Sequence, residues 1–359
     1  VKIINVPEKE LNDFTLEDFG GKRSEKTACV VRYGAIGDVI ISSSLFPVLK
    51  EAGYKVCVNV TEQGKELYRS DPNIDELLFQ KTNQIPATSL TEYWEKMSPC
   101  FDKFVQLCES IEGTLLLMPE RTETVSGNNI RVEASKGFLG TKEERHEQCN
   151  VNYLEYTHDL AGMPYDFNPR FYPTKKEKKK AADYRRRIKT KNVVMWVLAG
   201  SSVHKVYPWA DSVMANILSS RDDVVFITVG DEACQLLEIG WEKEKRVITK
   251  SGKWTVRETL SFVEQCDIVI GPETGVVNAS AMLDNHTAVF LSHSSKENMS
   301  KHWLNSTTFE PEECYCFPCH RLHSRGFETC TRDVKTGGAL CAANITPDKV
   351  VEDILRHIK

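Results

Sequence analysis

A chain of 359 residues exceeds one ordinary hydrophobic core and suits two α/β domains of about 150–180 residues each. Hydrophobic residues make up 41% and charged residues 27%, a globular balance that excludes a low-complexity or collagen-like chain. The 46 basic and 51 acidic side chains leave a net charge of −5, which argues against a general nucleic-acid binder held by a broad positive field.

No apolar run reaches the roughly 18–20 residues needed to span a bilayer. The opening Val1-Lys2-Ile3-Ile4-Asn5 turns polar without the apolar core of a signal peptide, so a cytoplasmic enzyme is the expectation.

After about 26 mostly polar residues, Thr27–Tyr33 is a short apolar run expected to form a buried strand. Gly34-Ala-Ile-Gly37-Asp38 follows, then a helical pattern through Val39, Leu45, Val48 and Leu49 that ends near Gly53. Lys55–Val60 and Glu76–Phe79 read as further strands, separated by the turn Asp71-Pro72-Asn73. Strand–helix–strand alternation of this kind predicts a parallel sheet with helices on both faces. Beyond residue 80 the pattern weakens. Thr114–Met118 reads as a strand, Ser126–Gly140 as an irregular loop near a site, and Glu143–Leu160 as helix.

Pro169–Pro173 closes the first half, so an N-terminal domain is expected over 1–172. Ten Lys or Arg residues then lie between Lys175 and Lys191. They read either as a solvated, partly helical connector (173–191) or as a patch for an anionic acceptor.

A second α/β domain is expected over 192–346. Its strands are Val193–Leu198, Asp223–Val229, Arg246–Thr249, Asp267–Ile270 and Thr287–Leu291, and its helices include Trp209–Leu218, a segment opened by Gly230-Asp231-Glu232, Val256–Glu264 and Gly275–Leu283. An amphipathic helix over 347–359 ends the chain, with Val350, Val351, Ile354, Leu355 and Ile358 on one side. The expected architecture is two doubly wound domains with a cleft at the carboxyl ends of their strands.

Three strand-to-helix junctions carry chemistry. In the first, Gly34 and Gly37 permit positive φ and close approach of a ligand. Asp38 reads either as a first-turn helix residue stabilised by the helix dipole or as a general base. In the second, Gly200, Ser201 and Ser202 have short side chains that expose backbone N–H groups, and Lys205 adds a mobile positive charge. That combination suits a diphosphate, although an ordinary polar loop reads the same way; His204 is read as a bystander. In the third, Thr274, Gly275 and Val276 open a small-residue helix and offer amides to an anion, while Glu273 can accept hydrogen bonds from sugar hydroxyls.

Five of the twelve cysteines crowd into Cys314-x-Cys316-x2-Cys319-x10-Cys330-x10-Cys341, with His320 and His323 inside the run. Four thiolates, or three with a histidine, would hold a structural zinc; packed free thiols and disulfides are the alternatives. The expected job of the cluster is to brace the loop before the final helix. The other seven cysteines, such as Cys29 and Cys57, read as small core residues.

Taken together, the segments resemble glycosyltransferase family nine, the heptosyltransferases. Arg32-Tyr-Gly-Ala-Ile-Gly-Asp-Val39 with Pro47 and Leu49-Lys50 looks like that family's opening motif, and Gly200-Ser201-Ser202 with Lys205 and Pro208-Trp209 resembles its mid-chain phosphate motif. Glu273-Thr274-Gly275 with Asn278 and Ala281 is similar to its Asp-Thr-Gly-x-x-His-x-x-Ala motif, with Glu273 in place of the usual Asp and Asn278 in place of the usual His. The run Cys316-Phe-Pro-Cys319, Cys330 and Cys341 with Ile345-Thr-Pro347 is similar to the cysteine pattern of one branch.

The resemblance implies a GT-B fold with an acceptor-binding N-terminal domain and a nucleotide-sugar-binding C-terminal domain. It also implies metal-independent, inverting transfer from an ADP-linked sugar, heptose or a relative, to a saccharide hydroxyl. Asp38 would be the base, and Lys205 with the Thr274–Val276 amides would stabilise the leaving diphosphate. Two alternatives accompany it: the same chemistry on a protein or a modified nucleic-acid base, and a non-catalytic nucleotide- or glycan-binding protein.

Overall fold

The strands that read as unbroken apolar runs are the ones buried on both faces. A computed structural model describes residues 1–108, 124–125, 131–132, 141–321, 327 and 330–359. The strand expected at Thr114–Met118, His323, and the loop expected at Ser126–Gly140 apart from 131–132 lie outside the described residues. The chain divides into two units, Val1–Tyr172 and Pro173–Lys359.

Among the described residues of the first unit, five parallel strands are β1 (Lys2–Asn5), β2 (Thr27–Val31), β3 (Lys55–Val60), β4 (Glu76–Phe79) and β5 (Lys103–Gln106), in the order β1-β4-β3-β2-β5. Central β2 is buried throughout, as a sheet covered on both faces requires. The edge strand β1 is largely exposed, which explains why its mixed Lys-Ile-Ile-Asn pattern is unreadable as a strand. A two-residue antiparallel pair, β6 (Thr124–Val125) and β7 (Arg131–Val132), follows β5.

The helix expected from Val39 to Gly53 divides into Ile36–Ser42 and Leu45–Glu51. Three hydroxyls sit at the break: Ser42, Ser43 and Ser44 Oγ donate to the carbonyls of Val39 (3.0 Å), Ile40 (2.6 Å) and Ile41 (2.9 Å). Such bonds compete with the helical ladder. Similarly, the helix expected over Glu143–Leu160 is two, Lys142–Cys149 and Tyr153–Ala161. Asn152 starts the second by accepting from the amides of Leu154 (3.0 Å) and Glu155 (3.3 Å).

In the second unit six parallel strands are β8 (Asn192–Val197), β9 (Val224–Val229), β10 (Val247–Thr249), β11 (Ile268–Pro272), β12 (His286–Phe290) and β13 (Ser306–Phe309). Their order, β10-β9-β8-β11-β12-β13, is 3-2-1-4-5-6 in chain order, that of a dinucleotide-binding Rossmann sheet. Trp196, Phe226 and Phe290 pack at its centre. The terminal helix Pro347–His357 lays Val350, Val351 and Ile354 into the same core. Gly230-Asp231-Glu232 leads into a six-residue 3-10 turn, Ala233–Glu238, instead of an α-helix.

Most of the basic run is helical. Lys175–Arg187 is a continuous helix within the second unit. Thr174 and Glu177 form a capping box, and Glu177 accepts from Arg257 Nε and Nη2, both at 2.7 Å. Tyr184 meets the rings of Trp254 (5.3 Å) and Phe262 (5.6 Å) edge-on. Its lysines face outward because the inner face is supplied by Ala181 and Tyr184.

Candidate functional site

In an open parallel sheet, ligands bind beyond the carboxyl ends of the strands where the strand order reverses, because the connections there diverge to opposite faces and leave a crevice. In the first unit that point lies between β2 and β5. Arg32 follows β2 and is 5% exposed. Its guanidinium donates to Leu107 O, just beyond β5, and Nη2 pairs with Asp38 Oδ1 at 2.9 Å.

Asp38 stands in the first turn of Ile36–Ser42 with its other oxygen 3.3 Å from Ala35 N. A small pocket lined by Arg32, Asp38, Ser42, Leu107, Tyr153 and Tyr156 opens beside it. The carboxylate is therefore aimed by an arginine and partly open. Of the two glycines, only Gly34 uses the left-handed region, at φ +100°, where a Cβ would sit 3.1 Å from Asp38 Oδ2. Gly37 is helical and does not use the positive φ that a glycine permits.

In the second unit the reversal lies between β8 and β11, and both nucleotide-type loops leave the sheet there. Gly200 follows β8 and faces Lys205 and Thr274: a Cβ on it would come within 2.6 Å of Lys205 Cδ and 3.4 Å of Thr274 Cγ2. Ser201 is exposed and Ser202 half-buried. Lys205 is buried in a 3-10 turn, Val203–Lys205, and donates to Glu273 O at 3.1 Å.

Thr274 caps the six-residue helix Gly275–Ser280 through its Oγ1, which accepts from Val277 N at 3.4 Å. The amides of Gly275 and Val276 belong to its first turn, where N–H groups lack intrahelical partners. Asn278 is buried, and its Oδ1 has no hydrogen-bond partner among the described residues.

Glu273 departs from the sequence reading. Its carboxylate turns inward with 1% of its side chain exposed. Oε1 accepts from the amides of Ser292 (3.1 Å) and Ser294 (3.2 Å), and Oε2 from Ser292 Oγ (2.7 Å). His293 Nδ1 stands 2.8 Å from Oε2, and Lys205 Nζ 3.8 Å. Burial pushes the carboxyl up, but His293, Lys205 and Ser292 outweigh it and hold the group well below the usual carboxylate range. An anionic hub with its lone pairs already taken has no free acceptor for a sugar hydroxyl.

The residues missed by sequence reasoning are those of this hub, Ser292, His293 and Ser294. Their signal was present: a Ser-His-Ser-Ser run directly follows buried β12, as the Gly-Ser-Ser run follows β8. His204 is buried near the hub, with its ring 6.5 Å from that of His293.

None of the five clustered cysteines is joined in a disulfide. Cys314 and Cys316 Sγ are 3.5 Å apart, and Cys314 and Cys330 pack against Cys341 with Phe317. Burial and the neighbouring Cys330, Cys319 and Cys316 push the Cys341 thiol up to about 12; burial, Cys319 and Cys316 push Cys330 to about 11. A zinc would take these groups as thiolates, since metal binding displaces the thiol protons.

Among the described residues, the group that places three ligand atoms within 4.8 Å of one another is not the cysteine cluster but His286, Asp353 and His357. Their imidazoles stack at 3.5 Å and 8°, so the ring lone pairs run parallel instead of converging on one ion. Asp353 accepts from Thr307 Oγ1 (2.6 Å) and bonds His286 Nε2 (2.9 Å), which ties the last helix to β12 and β13.

No protein-family model and no curated protein matches the chain. Solved structures do. Escherichia coli ADP-heptose LPS heptosyltransferase II matches at a TM-score of 0.61 and 12% identity over 92% of this chain and 98% of that one. A family 9 glycosyltransferase from Veillonella parvula matches at 0.62 and 12% over 93% and 97%. The iron-containing dodecameric glycosyltransferase TibC of enterotoxigenic E. coli matches at 0.56 and 12% over 94% of this chain and 77% of that one. This chain has their fold. It is an α/β protein of the GT-B type, with two Rossmann-like domains. No helix among the described residues is long and apolar enough to cross a membrane.

Proposed function

We propose that this GT-B protein is a glycosyltransferase that moves a sugar from a nucleotide-diphosphate donor, ADP-linked, to an acceptor hydroxyl with inversion. The reading is supported above all by the β8–β11 reversal, where Gly200, Lys205 and Thr274 meet. A fixed cation beside short-side-chain loops suits a diphosphate, and the fold-sharing heptosyltransferase II is named for an ADP-sugar. The second unit would bind the nucleotide sugar and the first the acceptor.

Asp38, held by Arg32, would accept the proton of the acceptor hydroxyl as that oxygen bonds to the anomeric carbon. The bond from that carbon to the donor's phosphate oxygen breaks in the same displacement, and its electron pair leaves with the nucleoside diphosphate. Lys205 and the amides of Thr274, Gly275 and Val276 would stabilise the charge developing there. Ser201, Ser202 and Asn278 would complete the donor site, with Glu273 behind it. No metal is assigned a catalytic step.

The test is a thermal-shift panel of ADP, UDP, GDP and their sugars, followed by transfer assays on saccharide acceptors. A ligand that binds only the folded protein raises the midpoint. No response to any of them would remove the donor reading.

The second reading keeps the chemistry but takes a protein or a modified nucleic-acid base as acceptor, and its support is the exposed lysines of Lys175–Arg187, which lie on the second unit and not on the one assigned to the acceptor above. Among the exposed cations of that helix, Lys180 pairs with Glu258 and Arg186 with Asp183. Binding that falls steeply with salt would favour this acceptor over a saccharide. The chemistry of the donor set further suits a structural zinc held by thiolates drawn from Cys314, Cys316, Cys319, Cys330 and Cys341, bracing the segment before the last helix.

A further inference from the structure

Three loops converge on Glu273. Its own loop follows β11, Lys205 belongs to the loop after β8, and Ser292–Ser294 to the loop after β12. A single carboxylate faces the ammonium of Lys205 and the Nδ1 edge of His293, and its remaining acceptor positions are filled by Ser292 and Ser294. The His293 loop is also gripped from the other side, because His320 N donates to His293 O at 2.9 Å. The ring of His293 is thus held through one nitrogen and through its backbone.

Holding Nδ1–H against a carboxylate fixes the tautomer and orients Nε2, on the far side of the ring. The extra methylene of a glutamate matters here. It carries the carboxylate past the strand end to the neighbouring loop, where an aspartate would stop about one bond length short. The consequence is a pair of side chains, Lys205 and His293, anchored by the same buried anion and set next to the loops that suit a diphosphate.

We infer that Glu273 is a positioning residue, and that His293 is the second side chain, after Lys205, that binds the diphosphate of a nucleotide. This rests on the donor reading above. In that arrangement Lys205 spends one N–H on Glu273 O and retains two for phosphate oxygens, while His293 contributes its Nε2. Discrimination between a nucleoside and its diphosphate then depends on both side chains.

The experiment is calorimetric titration of ADP, UDP, GDP and adenosine into the full chain, its His293→Ala and His293→Gln variants, and Glu273→Asp. His293→Ala is expected to weaken the nucleoside diphosphate that binds the parent by about tenfold or more, the loss of one charge-assisted hydrogen bond. Adenosine affinity should stay within about twofold. His293→Gln, which keeps an N–H donor, should recover part of the loss. Glu273→Asp should weaken the diphosphate although it installs the residue usual in the resembled motif.

Ring 15N shifts of selectively labelled histidine should move at His293 when the diphosphate is added to the parent, which decides the matter should the variants fail to fold. Unchanged diphosphate affinity in His293→Ala, equal losses for diphosphate and adenosine, or an unmoved His293 resonance would overturn the inference while leaving the donor reading intact. A parent that binds none of the three diphosphates overturns the donor reading and this inference with it.

Discussion

Arg32 Nη2 and Asp38 Oδ1 lie 2.9 Å apart, with the arginine 6% and the aspartate 22% exposed at the side chain. A nearly buried cation thus aims a carboxylate that keeps one side toward solvent. A general base needs this asymmetry: fixed in direction, yet reachable by the proton it takes.

Asp38→Asn should therefore lower transfer by about 10²–10⁴-fold while nucleotide binding, proposed for the other unit, stays as in the parent. Turnover measured beside nucleotide titration checks it. A variant that transfers sugar at the parental rate would remove Asp38 from the role of base.

Lys205→Ala should weaken a nucleoside diphosphate by about 10–100-fold, as expected for a charge-assisted hydrogen bond worth roughly 1.5–3 kcal/mol. Adenosine should be much less affected. The same calorimetric series reports both values, and an unchanged diphosphate affinity would end the phosphate assignment.

The two glycines beside Asp38 should respond differently. Gly34→Ala forces a Cβ into a left-handed turn 3.1 Å from Asp38 Oδ2 and should cost about 1–2 kcal/mol. Gly37 is helical, so Gly37→Ala should be neutral or stabilising by up to about 1 kcal/mol. Urea midpoints of the two variants distinguish them; equal destabilisation would contradict the helical placement of Gly37.

The Glu177–Arg257 pair gives a pH signature. Arg257 is the largest influence on the Glu177 carboxyl and lowers it from 4.5 to about 2. A folded-state value below the unfolded one means a contribution that is whole above about pH 4.5 and is lost as pH falls toward 2. Glu177→Gln keeps a capping side chain but removes the charge beside buried Arg257, at a cost of about 1–3 kcal/mol at pH 7. The gap in urea midpoint between parent and variant should hold from pH 7 to 5 and narrow by pH 3. A gap independent of pH would mean that the ion pair contributes nothing.

The cysteine assignment predicts about one zinc per chain by elemental analysis of protein purified without added metal. Cys341→Ser should lose it and lower the melting temperature. Metal-free parent protein with an unchanged melting temperature in excess chelator would leave packed thiols as the better account.

Much of the fold was legible because burial writes itself into the chain. Thr27–Val31, Val193–Val197 and Val224–Val229 are almost entirely apolar, with only Thr27 and Thr228 polar, as strands covered on both faces tend to be. The edges were illegible for the converse reason: β1 and the Thr-rich β13 are half solvated and carry no pattern distinct from a loop. The serine break after Ile41 and the Asn152 cap were written in residue types that also suit a continuous helix face, so a period of 3.6 ran across both.

For the candidate site, sequence alone could mark the three loops that follow buried strands, because glycine, serine and a helix start recur there. Tertiary structure alone decided which loops meet. The strand order put β8 beside β11 and so brought Gly200 and Lys205 to Thr274, a juxtaposition across about 70 residues that no local pattern encodes. It also decided where Glu273 points. A carboxylate goes to whichever donors surround it, and Ser292, Ser294 and His293 reach it only after β12 has taken its place in the sheet.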